Sequence, residues 1–374
     1  MNQCECEQER QKRQKTLNNL LRLSAKDGHI INVKKWVKAG AEIDTSENEE
    51  GIIVDGNHIE KHEPKIFTPL QAALLIPQAT RSHYDVVEFL LKKGANPNSE
   101  FKYKNPNGHM ITFTPALQTI FTNNIAMLKL LLAYGADINY KNWHKQNLGL
   151  LYQALTLKSF EMVEFLVKNG IDLKKCTDTS GKTPLHHAIE NGNNLKVIKL
   201  LLDNGADLKA TTLNGETPMH SAAEGDNLKI VKFLFEQGVE INNNSNDNKE
   251  FSKQRSPLQI AVLKQNYEIV EFLLENGANV NQKSEYQGET KTHKGLAFAT
   301  TALHLACRNG GHNNIAEILM KYGAEVDASE YCTSSDTPKN WTPLHLAASN
   351  GLHLIVRNML KKGMYICTDI FWGN

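Results

Sequence analysis

Thr183-Pro184-Leu185-His186-His187-Ala188 and Thr217-Pro218-Met219-His220-Ser221-Ala222 stand 34 positions apart and read as one six-residue phrase. The phrase returns as Thr301-Ala302-Leu303-His304-Leu305-Ala306 and as Thr342-Pro343-Leu344-His345-Leu346-Ala347. Weaker copies start at Thr68, Thr114 and Ser256, and degenerate ones near Asn19 and Gly149. Roughly twenty residues after each start comes a second phrase, as in Leu131-Leu132-Ala133-Tyr134-Gly135-Ala136-Asp137-Ile138-Asn139 and Leu273-Leu274-Glu275-Asn276-Gly277-Ala278-Asn279-Val280-Asn281. Self-similarity at a fixed period is the sequence mark of a repeat array, in which each unit buries its apolar face only against its neighbours.

Each half of the repeat reads as a helix. Thr caps the first and Pro suits its opening turn. The small Ala that follows allows close helix packing. The second helix carries apolar residues at helical spacing, as in Ile230, Val231, Phe233, Leu234 and Phe235. A glycine then ends it, because the cap residue takes positive φ. That glycine falls at 40, 94, 135, 170, 205, 238, 277, 323 and 363. Five residues before it the column Phe89, Leu130, Phe165, Leu200, Phe233, Phe272 and Ile318 is apolar, whereas the outermost members, Lys35 and Asn358, are polar. End repeats lack one neighbour, so polar residues there fit capping, and the array is expected to be complete. The column is expected to be core, with Leu200→Ala or Phe233→Ala costing about 2–5 kcal/mol.

These phrases resemble the ankyrin repeat, a unit of about 33 residues. The resemblance runs from Leu17 to Cys367 in about nine copies. It implies an all-α repeat solenoid: a stack of antiparallel helix pairs with β-hairpin finger loops. On this reading residues 1–16 are a charged segment that caps the first repeat, 17–367 are the repeat domain, and 368–374 are a tail carrying Ile370, Phe371 and Trp372. The resemblance also makes His186, His220, His304 and His345 structural hydrogen-bonders between neighbouring repeats rather than a metal or catalytic set. In this family protein partners bind on the concave surface made by finger tips and first helices.

Composition agrees with a folded binding module. The 374 residues are 40% hydrophobic and 22% charged, and 42 Lys+Arg nearly balance 41 Asp+Glu. That balance argues against nucleic-acid or membrane-surface binding driven by bulk charge. No stretch has the apolar length of a membrane span, and Met1 to Thr16 has no apolar core of a secretory signal. The six cysteines are scattered, which predicts reduced thiols and a cytoplasmic location. Richness in Lys, Asn and Ile resembles proteins of AT-rich genomes, including intracellular bacteria whose ankyrin proteins act in host cytoplasm.

Three motifs invite other chemistry. Ser180-Gly181-Lys182-Thr183 resembles the end of a phosphate loop, but Cys176 stands where the earlier glycine belongs. Cys4-Glu5-Cys6 has no second Cys/His pair at zinc spacing. No nucleophile elbow, zinc-protease helix or kinase signature appears. The expectation is a non-enzyme without cofactor, metal or small-molecule substrate. Leu131 to Asn139 resembles the site at which asparagine hydroxylases modify ankyrin fingers, which makes Asn139 a candidate for modification.

The fingers vary in length. Those at 140–148, 175–182 and 210–216 are short, and those at 45–67, 99–113, 243–255, 282–300 and 328–341 are long. Drift and a widened binding surface both account for the long ones. At the end of each first helix two positions face the concave side in the family, and most are polar here. Repeats 2 to 4 break that pattern with Leu75, Ile76, Phe121 and Leu157, and the finger beside them adds Phe101, Tyr103 and Phe113. An exposed apolar patch of this kind marks an interaction site. The alternative is that the acidic segment 45–67, or the insertion after Pro77, covers it. Two functions follow: a scaffold or adaptor that binds a protein on this surface, or a regulatory or inhibitory subunit that docks on an enzyme through it.

Overall fold

The computed structural model describes residues 3–45, 67–76, 79–104, 110–140, 149–174, 176–192, 194–242, 255–287, 297–308, 313–329, 331–332 and 341–361. They fall into two compact units, Met1–Cys176 and Thr177–Asn374. The first unit holds four helix pairs: α1 (Gln3–Lys26) with α2 (Ile30–Lys38), α3 (Pro69–Leu74) with α4 (Arg81–Lys92), α5 (Pro115–Phe121) with α6 (Ile125–Ala133), and α7 (Leu150–Thr156) with α8 (Phe160–Lys168). The second unit holds five: α9 (Pro184–Glu190) with α10 (Leu195–Asp203), α11 (Pro218–Glu224) with α12 (Leu228–Glu236), α13 (Pro257–Leu263) with α14 (Tyr267–Glu275), α15 (Ala302–Arg308) with α16 (Asn313–Lys321), and α17 (Pro343–Ser349) with α18 (His353–Lys361). Within each unit the first helix of one pair packs on the first helix of the next. Each unit is therefore an all-α repeat solenoid.

The local chemistry explains the helix ends. Thr183, Thr68 and Ser256 cap their helices with the hydroxyl, and Pro occupies the first helical position. The second helices end on glycines with φ near +90°, for example Gly205 at +89° and Gly277 at +89°. Between the two helices of a pair another residue must take positive φ. Glycine fills it at 28, 192 and 351, but Asn123, Lys158, Asp226 and Gln265 fill it elsewhere, at φ between 50° and 64°.

The column five residues before the glycine is not the deep core. Phe89, Leu130, Phe165, Leu200, Phe233 and Phe272 are half-buried, and of that column only Ile318 is buried. The fully buried residues stand one place later: Leu90, Leu131, Leu166, Leu201, Leu234, Leu273 and Leu319. One residue on a helix turns the side chain by about 100°, enough to carry the column from the centre of the pair to its rim. At the rim the lysine one place earlier in the preceding repeat covers the ring. Lys34 lies 5.8 Å from the centre of Phe89, Lys129 5.6 Å from Phe165, Lys199 5.6 Å from Phe233 and Lys232 5.7 Å from Phe272. Where the next column residue is not aromatic the preceding position is acidic: Glu88 precedes Leu130, Glu271 precedes Ile318, and Glu317 accepts a 3.1 Å bond from Asn358. Cation and ring are thus matched across each of these repeat boundaries.

Strands form only in long fingers among the described residues. β1 (Phe101–Lys104) pairs antiparallel with β2 (Met110–Phe113) in the first unit. In the second, β3 (Ser284–Gln287), β4 (Ala297–Thr300) and β5 (Tyr331–Cys332) make a small sheet in that order. The short fingers at 175–182 and 210–216 make turns instead. A longer finger has enough backbone to close a ladder, and a short one does not. Segments 46–66, 243–254, 288–296 and 333–340, and the tail 362–374, lie outside the described residues. α1 runs unbroken through the expected boundary between residues 16 and 17. Residues 7–13 of it are exposed, and Gln14 is the first to reach the body, donating 2.9 Å to the Gly40 carbonyl.

Candidate protein-binding surface

The phrase that begins each first helix supplies the scaffold for the surface. Thr183 N–H and hydroxyl both meet His186 Nδ1, at 3.3 and 2.8 Å, while Nε2 lies 3.2 Å from the Glu216 carbonyl in the next finger. That pattern needs a neutral ring with its proton on Nε2. His304 repeats it, with Nε2 3.2 Å from the Trp341 carbonyl. Burial pushes His220 down to about 4 and His304 down to about 3, and lowers His186 too. Gln71 and Gln259 do the same job without a titratable group: Oε1 accepts from the cap N–H, and Nε2 donates to Ser99 or to Gln282 and Thr300. His186 and His304 are bridges between repeats. No group of three His, Cys, Asp or Glu among the described residues is placed to hold a metal ion.

The phosphate-loop lookalike is a finger turn. Asp178 Oδ1 accepts from Ser180 N–H, Ser180 Oγ and Lys182 N–H, each at 2.8 Å. Gly181 sits at φ +80°, and a Cβ there would stand 2.8 Å from Leu213 N, so the next finger requires glycine. Lys182 is held at 2.6 Å by Glu190. Cys4 and Cys6 have side chains outside the described residues.

At the inner ends of the first helices the two units differ. In the first unit Leu75 is 38% exposed, Phe121 46% and Leu157 45%. Leu75 and Leu157 are the caps of α3 and α7, and Phe121 is the last residue of α5. Ile76 is half-buried. Phe113, the last residue of β2, brings its ring to 5.5 Å from Phe121 and ties the hairpin to the strip. Phe101 and Tyr103 stand in β1 in register with Phe113 and Ile111. Leu23, one turn before the end of α1, is 40% exposed as well. Reading only the last two positions of each first helix misses it; inspecting one turn earlier would have found it.

In the second unit the equivalent positions are Glu190, Asn191, Glu224, Gly225, Leu263, Lys264, Arg308, Ser349 and Asn350, and none is a large exposed apolar side chain. Lys182 pairs with Glu190, and Lys264 with Glu224 at 2.9 Å. Ile31 and Leu213, near 80% exposed, lie outside these positions.

The fingers are joined by asparagines. Asn98, Asn242 and Asn281 each donate Nδ2 to the glycine carbonyl of the next finger and accept at Oδ1 from a backbone N–H two residues beyond it. Asn139 makes the accepting half of this link, taking Asp172 N–H at 2.9 Å, and is itself exposed.

Stacked helix pairs, capped phrases and finger links define a class of protein, the helical repeat solenoid whose exposed inner face is free to vary. Comparison with known proteins places it further. The family model described as ankyrin repeats (3 copies) matches 116–212, 209–284 and 286–369, and the single ankyrin repeat matches 67–100. The chain belongs to the ankyrin-repeat family. It is similar to the nuclear factor NF-kappa-B p105 subunit of Gallus gallus, 32% identical over 42% of this chain and 15% of that protein. It is likewise similar to the putative ankyrin repeat protein FPV031 of Fowlpox virus (strain NVSL), 32% identical over 37% of this chain and 40% of that protein. A third relative, ankyrin repeat and SOCS box protein 6 of Homo sapiens, is 31% identical over 35% of this chain and 30% of that protein. The chain spans less than half the length of each of these relatives. Ankyrin repeats are generally protein–protein interaction modules, typically without enzyme activity. No helix among the described residues is long and apolar enough to cross a membrane.

Proposed function

We propose that the chain is a protein-binding scaffold or adaptor whose partner docks on the inner face of the first unit, over Leu75, Phe121 and Leu157, with Ile76 and the finger residues Phe101, Tyr103 and Phe113 at its edge. The observation that carries this is the exposure of those three large side chains at positions that are polar or small through most of the second unit. Apolar surface held in water and lined up from pair to pair is the usual ground for an interaction site, and an aromatic such as Phe121 is the type of residue that dominates binding energy. Reading α1–α2 as a further repeat, and the whole as about nine, belongs to this proposal. One relative is named as a subunit of a nuclear factor. A second reading is a regulatory or inhibitory subunit that docks on an enzyme by the same contact. The free, buried Cys307 fits a reducing compartment such as the cytoplasm.

The test is a double variant, Phe121→Ser with Leu157→Ser. Partner capture by affinity purification and mass spectrometry should be lost while the melting temperature stays within a few degrees. A large fall in melting temperature would make these residues core, and unchanged capture would place the site elsewhere. Asn139 as a modification site has its own check: mass spectrometry of native protein should find a 16 Da oxygen on it, and only unmodified Asn139 would remove the proposal.

A further inference from the structure

The second helices of the second unit carry a charge pattern that matches itself. α10, α12, α14 and α16 are nine residues each. Lys199 over the Phe233 ring and Lys232 over the Phe272 ring set α10, α12 and α14 side by side, and α14 packs on α16. The second, fifth and ninth residues of such a helix share one face. On α10 and α12 the second and fifth are Lys196, Lys199, Lys229 and Lys232. On α14 and α16 they are Glu268, Glu271, Asn314 and Glu317. The ninth residues are Asp203, Glu236, Glu275 and Lys321, in helix order. No other residue of these helices is charged. Glu271 is half-buried and the rest of the face is exposed. Lys92 and Lys168 of the first unit pair with a glutamate on their own helix, but none of these charges is in an ion pair with another described residue.

Two copies laid face to face are related by a two-fold axis that lies in the plane between them. An axis along the groove between α12 and α14 sets α12 on α14 of the second copy, and α10 on its α16, position for position. Lys229 then meets Glu268, Lys232 meets Glu271, Lys199 meets Glu317 and Asp203 meets Lys321, each twice by symmetry. Only Glu236 against Glu275 joins like charges. The axis at right angles fares worse, because it sets Lys199, Lys232, Glu271 and Glu317 each against its own copy. The favoured axis also runs over apolar surface. Phe235 of α12, 38% exposed, meets Phe272 of α14 edge-on at 5.7 Å. An aromatic centre flanked by charge is the usual anatomy of a protein interface.

We infer that this face of α10, α12, α14 and α16 docks a second copy of the chain, paired about the groove between α12 and α14. An acidic partner would use the lysine half alone and a basic partner the carboxylate half alone; a self-contact uses both. Four helices about 14 Å long and about 10 Å apart make a face of roughly 550 Å² on each copy. About 1,100 Å² in total is the size of a weak, reversible contact. Charge sets its orientation and makes it sensitive to salt.

Sedimentation velocity of the full chain should show monomer giving way to dimer between micromolar and submillimolar concentration, and added salt should reverse it. Two variants of unchanged net charge test the pairing: Lys229→Glu/Asp203→Lys and Glu268→Lys/Lys321→Glu. All four residues are exposed, so helical circular dichroism should be kept. Alone, each variant sets like charges against one another and should dimerise at least about tenfold more weakly. Mixed one to one, the two restore opposite charges at every altered site, and a dimer with one chain of each should return. Phe235→Ala leaves the charges in place and should weaken the dimer several-fold. A chain that stays monomeric at low salt overturns the inference, including one whose lysine half captures a polyglutamate peptide instead. So do charge variants that dimerise like the parent chain, a mixture that stays monomeric, or unchanged dimerisation of Phe235→Ala.

Discussion

At the start of four first helices a single side chain, His186, His304, Gln71 or Gln259, does two tasks, closing the cap and reaching the next finger. His304 and Gln259 do it with different chemistry, so His304→Gln should be tolerated, whereas His304→Ala leaves a cap and a carbonyl unbonded and should cost about 1–3 kcal/mol, more if the cavity stays open. The two differ again in acid. Above about pH 6.5 the histidines are neutral in folded and unfolded chain alike, and their contribution is complete. Below it the unfolded chain takes up protons, while folded His220 stays neutral to about pH 4 and His304 to about pH 3. Stability should therefore fall across that window, by up to about 1.4 kcal/mol per pH unit for each ring. Urea denaturation at pH 7 and pH 5 checks this, and His304→Gln should flatten the difference by one histidine's share. The strained turns give a test of opposite sign. Lys158 and Gln265 hold φ of 55° and 64° where other pairs use glycine, so Lys158→Gly or Gln265→Gly should raise stability by up to about 1 kcal/mol.

A helix in this chain is defined by its neighbour as much as by its own sequence. Leu201 and Leu234 are fully buried while Leu200 and Phe233 sit at the rim. Leu201→Ala and Leu234→Ala should cost about 2–5 kcal/mol, and Leu200→Ala clearly less, by the same denaturation measurement. Lys199→Glu would set an acid over the Phe233 ring and should cost about 1 kcal/mol. Periodicity finds the apolar face of a helix but not which of two adjacent apolar residues points to its centre. The 100° step between them is settled by where the next helix lies.

At the level of the molecule, stability should be a sum of pair terms and nearest-neighbour interfaces. Removing α17 and α18 should lower both the unfolding free energy and the denaturant slope in part, with most helical circular dichroism kept. Loss of all helical signal would contradict additive stacking. The two units also differ as surfaces. One offers an apolar strip, and the other spends the same positions on ion pairs such as Lys264 with Glu224. Pairs this exposed contribute little to stability. They leave that face without an apolar contact area.

Repeat phrases, caps and glycine stops are local: each depends on residues within a few positions of one another, so the sequence alone determined the helix pairs, the fold class and the structural role of His186 and His304. The exposed trio Leu75, Phe121 and Leu157 was legible too, because family position told which end of the helix faces inward. The tertiary structure decided what depends on a neighbouring repeat. It showed that the column of Phe233 is a rim under lysines and that Gly181 makes room for Leu213. These facts are distances between residues some 30 to 60 positions apart, and no pattern within one repeat contains them.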